Sequence, residues 1–172
     1  MRIESTSFTQ ADVDGFLDGQ VDHEREHLVD RLEAASARLV ALAPRIPSGR
    51  SDGDAWSAHE TLAHIAVLSK FYGVMVHRVA SGQMTEVDLL ANVNLRDVAG
   101  DQMAGMTRDE LINAIRTDHE RTAKLLRTAE PSALRKSVKL TTGETVTAEF
   151  IARYPLVNHL EQHVEQLERS LG

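Results

Sequence analysis

No cysteine occurs anywhere in the 172 residues. That excludes disulfides, thiolate zinc sites and a cysteine nucleophile, and any thiol chemistry needs a thiol from outside the protein. Proline (4) and glycine (10) are sparse and aromatic residues make up only 4%. With Ala, Leu, Glu and Arg common, this balance favours helices. Positive charge is also short: 19 Lys and Arg against 26 Asp and Glu give a net charge of −7. Without a long basic stripe, no nucleic-acid partner is expected. No apolar run approaches the roughly 20 residues of a membrane span, and the opening MRIESTSFTQ lacks a signal-peptide pattern. A cytoplasmic protein with no membrane partner is the expectation. At 42% apolar residues, 172 residues suffice for one domain, 1–172, with a real core.

What is present is helical periodicity. From about Ala11 to Ala43, Val13, Leu17, Val21, Leu28, Leu32, Ala35, Leu39 and Leu42 recur every three or four residues and predict one buried face. PRIPSGRSDGD breaks that helix. The second starts at WSAHETLAH, where Ser57 and Glu60 form a capping box, and runs to about Ala80 with the stripe Val67, Leu68, Phe71, Met75 and Val79. Residues 82–106 read as irregular, with a short helix around Leu89–Asn94. Thr107 and Glu110 cap a third helix, with Met106 stapled onto Leu111, that runs to about Ala129. SVKLTTGETVT alternates around Thr142-Gly143 as a small hairpin. A last helix spans about Ala148 to Leu171, with Pro155 kinking it or marking its first turn. The expected class is all-α: an antiparallel four-helix bundle with a minor β-hairpin before the last helix, or a shorter helical domain completed by dimerisation.

Eight histidines exceed the usual share. At about 100° per residue, His64 falls on the apolar face of the second helix, while His59 and His77 point the opposite way, to solvent. His159 and His163, one turn apart in NHLEQHVEQL, both fall among Leu156, Leu160, Val164 and Leu167. One inward histidine is ordinarily a satisfied core group. Three unpartnered imidazoles would cost about 1–3 kcal/mol each, a cost that a divalent metal offsets. Three imidazole nitrogens with one open position are a usual catalytic zinc set, and two come naturally from one helix and the third from a neighbour.

HEREH, His23 to His27, also matches the H-E-x-x-H metalloprotease motif. On the first helix, however, His27 lies about 100° and His23 about 140° from Leu28, so both rings flank or leave the core. No third ligand follows at the required spacing. Glu24 falls nearer the buried face and is a candidate for a base near the metal. Asp118, placed nearer the Leu111–Ile115–Thr122 face than its neighbour His119, is a candidate to orient a ligand histidine, with a tolerated carboxylate at the bundle edge as the alternative. Trp56 and Tyr154 read as packing anchors. Arg121 and Arg153 are candidate contacts for an anionic substrate, with ordinary surface arginines as the alternative.

WSAHETLAHIA followed far downstream by NHLEQHVEQL resembles the DinB-like superfamily, which includes YfiT-like proteins, bacillithiol transferases and the metal-binding domain of mycothiol-dependent maleylpyruvate isomerase. The pattern of Trp-Ser, a histidine eight residues after the Trp, and a late His-x-x-x-His falls on Trp56, Ser57, His64, His159 and His163. The resemblance implies a four-helix bundle, frequently homodimeric. It also implies one divalent metal, zinc or nickel, held by His64, His159 and His163. His159 stands where the isomerase type carries a glutamate, so isomerase activity itself is not expected. The leading expectation is a metal-dependent transferase that activates a low-molecular-weight thiol of the mycothiol or bacillithiol type for attack on an electrophilic small-molecule substrate. A hydrolase using metal-activated water is the first alternative, a non-catalytic metal-binding module the second, and plain core histidines the third.

Overall fold

The computed structural model describes residues 9–49 and 55–172. The N-terminal leader and the end of the PRIPSGRSDGD break lie outside the described residues. Four long helical segments form the bundle: α1 (Gln10–Leu42), α2 (Ala58–Ala80), α4 (Arg108–Thr128) and a last segment. That segment starts as α6 (Ala148–Ile151), passes through a wide π turn (Ala152–Asn158) and continues as α7 (His159–Leu171). A further helix, α3 (Leu89–Met103), covers the outside of α2, and one turn, α5 (Pro131–Leu134), follows α4. α1 and α2 each pack on α4 and on the last segment, so the two consecutive helices meet mainly through their common neighbours. The fold class expected from the sequence is observed.

Local chemistry sets the helix ends. Ser57–Glu60 and Thr107–Glu110 close reciprocal capping boxes as read from the sequence, and Thr9–Asp12 forms a third at the start of α1. α2 stops at Gly82, whose φ of +75° lets Gly82 N–H bond to Val79 and Gln83 N–H to Arg78, closing a Schellman motif. Pro155 has no N–H to donate, and the seven-residue π turn accommodates its ring without ending the helix.

The hairpin pairs β2 (Ser137–Leu140) with β3 (Thr145–Thr147) through a turn at Gly143, φ +105°. A two-residue strand, β1 (Glu86–Val87), adds to β2 in parallel, which the sequence did not reveal. α3 is likewise a full 15 residues rather than the short helix expected near Leu89–Asn94.

Leu28, Leu32, Ala35, Leu39 and Leu42 of α1 enter the core together with Leu62, Ile65, Leu111, Ile115, Leu156 and Leu167. Val13 and Leu17, expected on the same buried stripe, are exposed. The reason is length: at 1.5 Å per residue, α1 is about 50 Å long and α2 about 35 Å, so the first turns of α1 overhang the bundle. There Arg135 ties Asp14 and Asp18 of α1 to the end of α5.

Candidate metal centre

His64 comes from α2, and His159 and His163 from successive turns of α7. One ligand atom from each lies within 4.8 Å of the others. The Nε2 atoms of His159 and His163 are 2.9 Å apart, and the His64 ring stands edge-on to both, with centroids at 5.7 and 4.9 Å. All three residues are half-buried rather than sealed in the core, so a fourth partner can approach from outside.

The hydrogen bonds fix which nitrogens are free. His163 Nδ1 lies 3.1 Å from Gln166 Oε1, an acceptor, so that nitrogen carries the proton. The Pro155 backbone partly offsets the lowering of the His159 pKa. The two Nε2 atoms face each other at 2.9 Å, close enough to share one proton or one ion. Holding the outer nitrogen by a carbonyl or amide is the usual support of a metal-ligating histidine.

Electrostatics act the same way. Burial, then the neighbouring His163 and His159 rings, then the Arg96 guanidinium push His64 down to about 4, with Asp97 opposing. His159 is lowered by burial, His163 and Arg96, and His163 by burial. Three neutral imidazoles are the protonation state a divalent metal requires. The donor set and its supports fit a zinc- or nickel-class ion.

Trp56 lies 4.6 Å from the His64 ring and is 56% exposed, so it forms a wall of the site mouth rather than the packing anchor expected. A small chamber of about 170 Å³ opens beside it, lined by Trp56, His64, Arg96, Asp97 and Ala104 among others. Arg96 went unnoticed in the sequence because α3 carries Leu90, Leu95 and Val98 on exposed positions, which blurs the period that would have defined its faces.

The other candidates fall elsewhere. Glu24 pairs with Arg153 of the π turn at 2.9 Å, and Arg153 also holds Glu149. Asp118 borders a separate groove between α2 and α4, with Lys70 and Arg121, and is raised by burial. Its neighbour His119 is the buried one, 3% exposed, because Ala123 and Leu126 rotate the centre of the α4 face toward it. His119 Nε2 lies 2.8 Å from Ser69 Oγ, whose own proton goes to the Ile65 carbonyl. His119 is thus the donor, and its Nδ1 has no partner among the described residues.

His59, expected in solvent, is 4% exposed and reaches the Ala104 carbonyl at 3.2 Å. The cause is α3, which covers the face of α2 that a simple bundle leaves open. His23, His27 and His77 are exposed, and the H-E-x-x-H match is a surface coincidence. Tyr154 stacks on Phe150 at 5.8 Å and is 62% exposed. Arg31 donates to the Glu161 carboxylate through Nε and Nη2 and to Asn158 Oδ1 at 2.6 Å through Nη2, anchoring the last segment to α1 on either side of His159.

The sequence profile of the DinB superfamily matches residues 20–167. A comparison with curated proteins gives no significant match. Among solved structures, YfiT from Bacillus subtilis, described as a probable metal-dependent hydrolase with an unusual four-helix bundle topology, superposes with a TM-score of 0.67 at 14% identity. The match covers 99% of this chain and 94% of that one. The mycothiol-dependent maleylpyruvate isomerase superposes with a TM-score of 0.59 at 16% identity over 87% of this chain. This chain spans 61% of the isomerase's length. At these identities the structural likeness concerns the fold, whereas the profile match covers most of the sequence: the chain belongs to the DinB superfamily.

Proposed function

We propose that the chain holds one divalent metal, zinc or nickel, on His64, His159 and His163, and is a transferase that joins a low-molecular-weight thiol to an electrophilic small molecule. The observation that carries this reading is the convergence of three imidazoles at a half-buried mouth, with the Nε2 atoms of His159 and His163 2.9 Å apart and the His163 ring held from behind by Gln166. A bound metal supplies Lewis acidity that favours the thiolate or hydroxide form of a coordinated thiol or water near neutral pH.

The chain's own groups do the rest. Trp56 walls one side of the mouth beside the small chamber. Arg96 places a guanidinium near His64 and His159, opposed at His64 by Asp97, with Glu60 and Asp101 also lining the chamber. In the transfer, the sulfur forms a bond to the electrophilic carbon, the leaving group takes the bonding pair, and the thiol proton departs to solvent. With no cysteine in the chain, the thiol is external. The likeness to a mycothiol-dependent enzyme supports a thiol of the mycothiol or bacillithiol type. The same reading includes a homodimer in the cytoplasm.

The test is consumption of monobromobimane with and without mycothiol or bacillithiol. Thiol-dependent turnover lost in His64→Ala supports the transferase. The description of YfiT as a probable metal-dependent hydrolase favours one second reading, hydrolysis. Ester or amide cleavage that proceeds equally without thiol, and is also lost in His64→Ala, would select it.

A further inference from the structure

A cavity of about 470 Å³ lies between α2 and α3, next to the three-histidine site. Its walls are apolar and rich in flexible methionine: Val67, Phe71 and Met75 from α2, Met84 beyond it, and Leu95 and Met103 from α3. Three cations, Lys70, Arg78 and Arg96, also line it, and among the described residues no carboxylate does. In a chain with net charge −7, a groove with cations and no anion has a definite preference. Arg78 forms no ion pair among the described residues, and Arg96 reaches Asp97 only at 3.4 Å.

The groove is aligned on the site. His64, Val67, Phe71 and Met75 follow one another along one face of α2, and eleven residues at 1.5 Å each make about 16 Å from the histidine to the far wall. Arg96 lines both this groove and the small chamber that contains His64. On the chamber side Arg96 meets Asp97, and Glu60 and Asp101 share that lining, so an anion on Arg96 sits on the groove side of the junction, with an apolar body running away from the histidines. Unbranched thioether side chains suit a ligand of variable apolar shape, and the cavity has the volume of an ordinary small-molecule site.

We infer that this groove is the substrate-binding site for an apolar carboxylate, its chain along Val67, Phe71 and Met75 and its carboxylate on Arg96 beside the three-histidine centre. The inference rests on the reading of that centre as the place of reaction and names the class of substrate brought to it. Apolar burial supplies the bulk of the affinity, and Arg96 selects the sign of the head group and the direction of entry.

The probe is octanoate, titrated by calorimetry into chelator-treated and metal-loaded full-length protein. Octylamine, of equal length and opposite charge, and acetate, with the head and no chain, are the controls. Octanoate is expected to bind at least ~10-fold more tightly than either control, the scale of one charge-assisted contact. Arg96→Gln is expected to lose ~10-fold or more of that affinity, with Arg96→Lys keeping most of it. Ala99→Trp, which fills the groove, is expected to abolish binding, while thermal melts confirm that each variant folds.

Equal binding of octylamine, or octanoate binding untouched by Arg96→Gln and Ala99→Trp, overturns the inference. So does a dimer that Ala99→Trp dissolves in protein that binds no octanoate, since the groove then belongs to a second copy. Octanoate binding seen only in metal-loaded protein also overturns it, since the carboxylate then sits on the metal and not on Arg96. Protein that binds octanoate through Arg96 yet takes up no metal upholds the groove and refutes the reacting centre instead.

Discussion

His119 is expected to make the bundle sensitive to acid independently of the three-histidine site. Its ring is 3% exposed, its Nε2–H is given to Ser69, and its Nδ1 has no partner to welcome a second proton. Burial pushes it down to about 4 from an ordinary 6.5. A folded-state pKa below the unfolded one means that the unfolded chain binds the proton more readily. The stability this residue contributes is therefore complete above pH 6.5 and lost as pH falls toward 4.

Integrating proton linkage between those values gives a loss of about 2 kcal/mol by pH 5 and about 3 kcal/mol by pH 4. The perturbation is His119→Gln, whose amide can still donate to Ser69 but does not titrate. Urea unfolding of chelator-treated protein at pH 7, 5 and 4 gives the free energies. Wild type minus variant is expected to fall by about 3 kcal/mol from pH 7 to pH 4, the remaining histidines cancelling in the difference. A difference that stays constant across this range would refute the buried, neutral assignment of His119.

Two further perturbations probe the packing and support of the site. A Cβ on Gly73 would meet Thr122 Oγ1 at 2.7 Å, so Gly73→Ala should destabilise the α2–α4 contact by about 1–3 kcal/mol, against the gain of about 1 kcal/mol that helix propensity gives alanine. Chemical denaturation of Gly73→Ala with and without Thr122→Ala checks it, and the second substitution should recover most of the loss. Arg31→Ala removes the clamp on Asn158 and Glu161 and should lower stability by about 1–3 kcal/mol. It should also weaken metal retention in a competitive chelator titration, because the ties to α1 on either side of His159 are lost and, among the described residues, only Glu24–Arg153 still pairs α1 with the π turn; unchanged retention would separate the clamp from the site.

Much of this arrangement is legible in the sequence because its signals are local. Ser57 with Glu60 and Thr107 with Glu110 place two helix starts to the residue. The four-residue spacing of His159 and His163 brings their rings together on α7, and the angle of His64 from Val67 and Phe71 turns it toward them. The parts that escape a sequence reading depend on neighbours. His59 and His119 are buried by α3 and by a rotated α4 face, and each is a polar residue that no apolar period announces. The two residues of β1 are too few to show alternation. The Pro155 π turn reads equally as a kink or a start until the chain on either side is seen to be helical. Arg96 becomes part of the site only through the packing of α3 on α2.

The three histidines are best judged by metal content, measured by mass spectrometry on untagged protein beside His64→Ala and His159→Ala. About one zinc or nickel per chain in the wild type, lost in both variants while each stays folded, is the result expected from three convergent neutral imidazoles. Folded wild-type protein that carries no metal and takes up neither zinc nor nickel on addition would contradict the metal centre, and the thiol-transfer reading would fall with it.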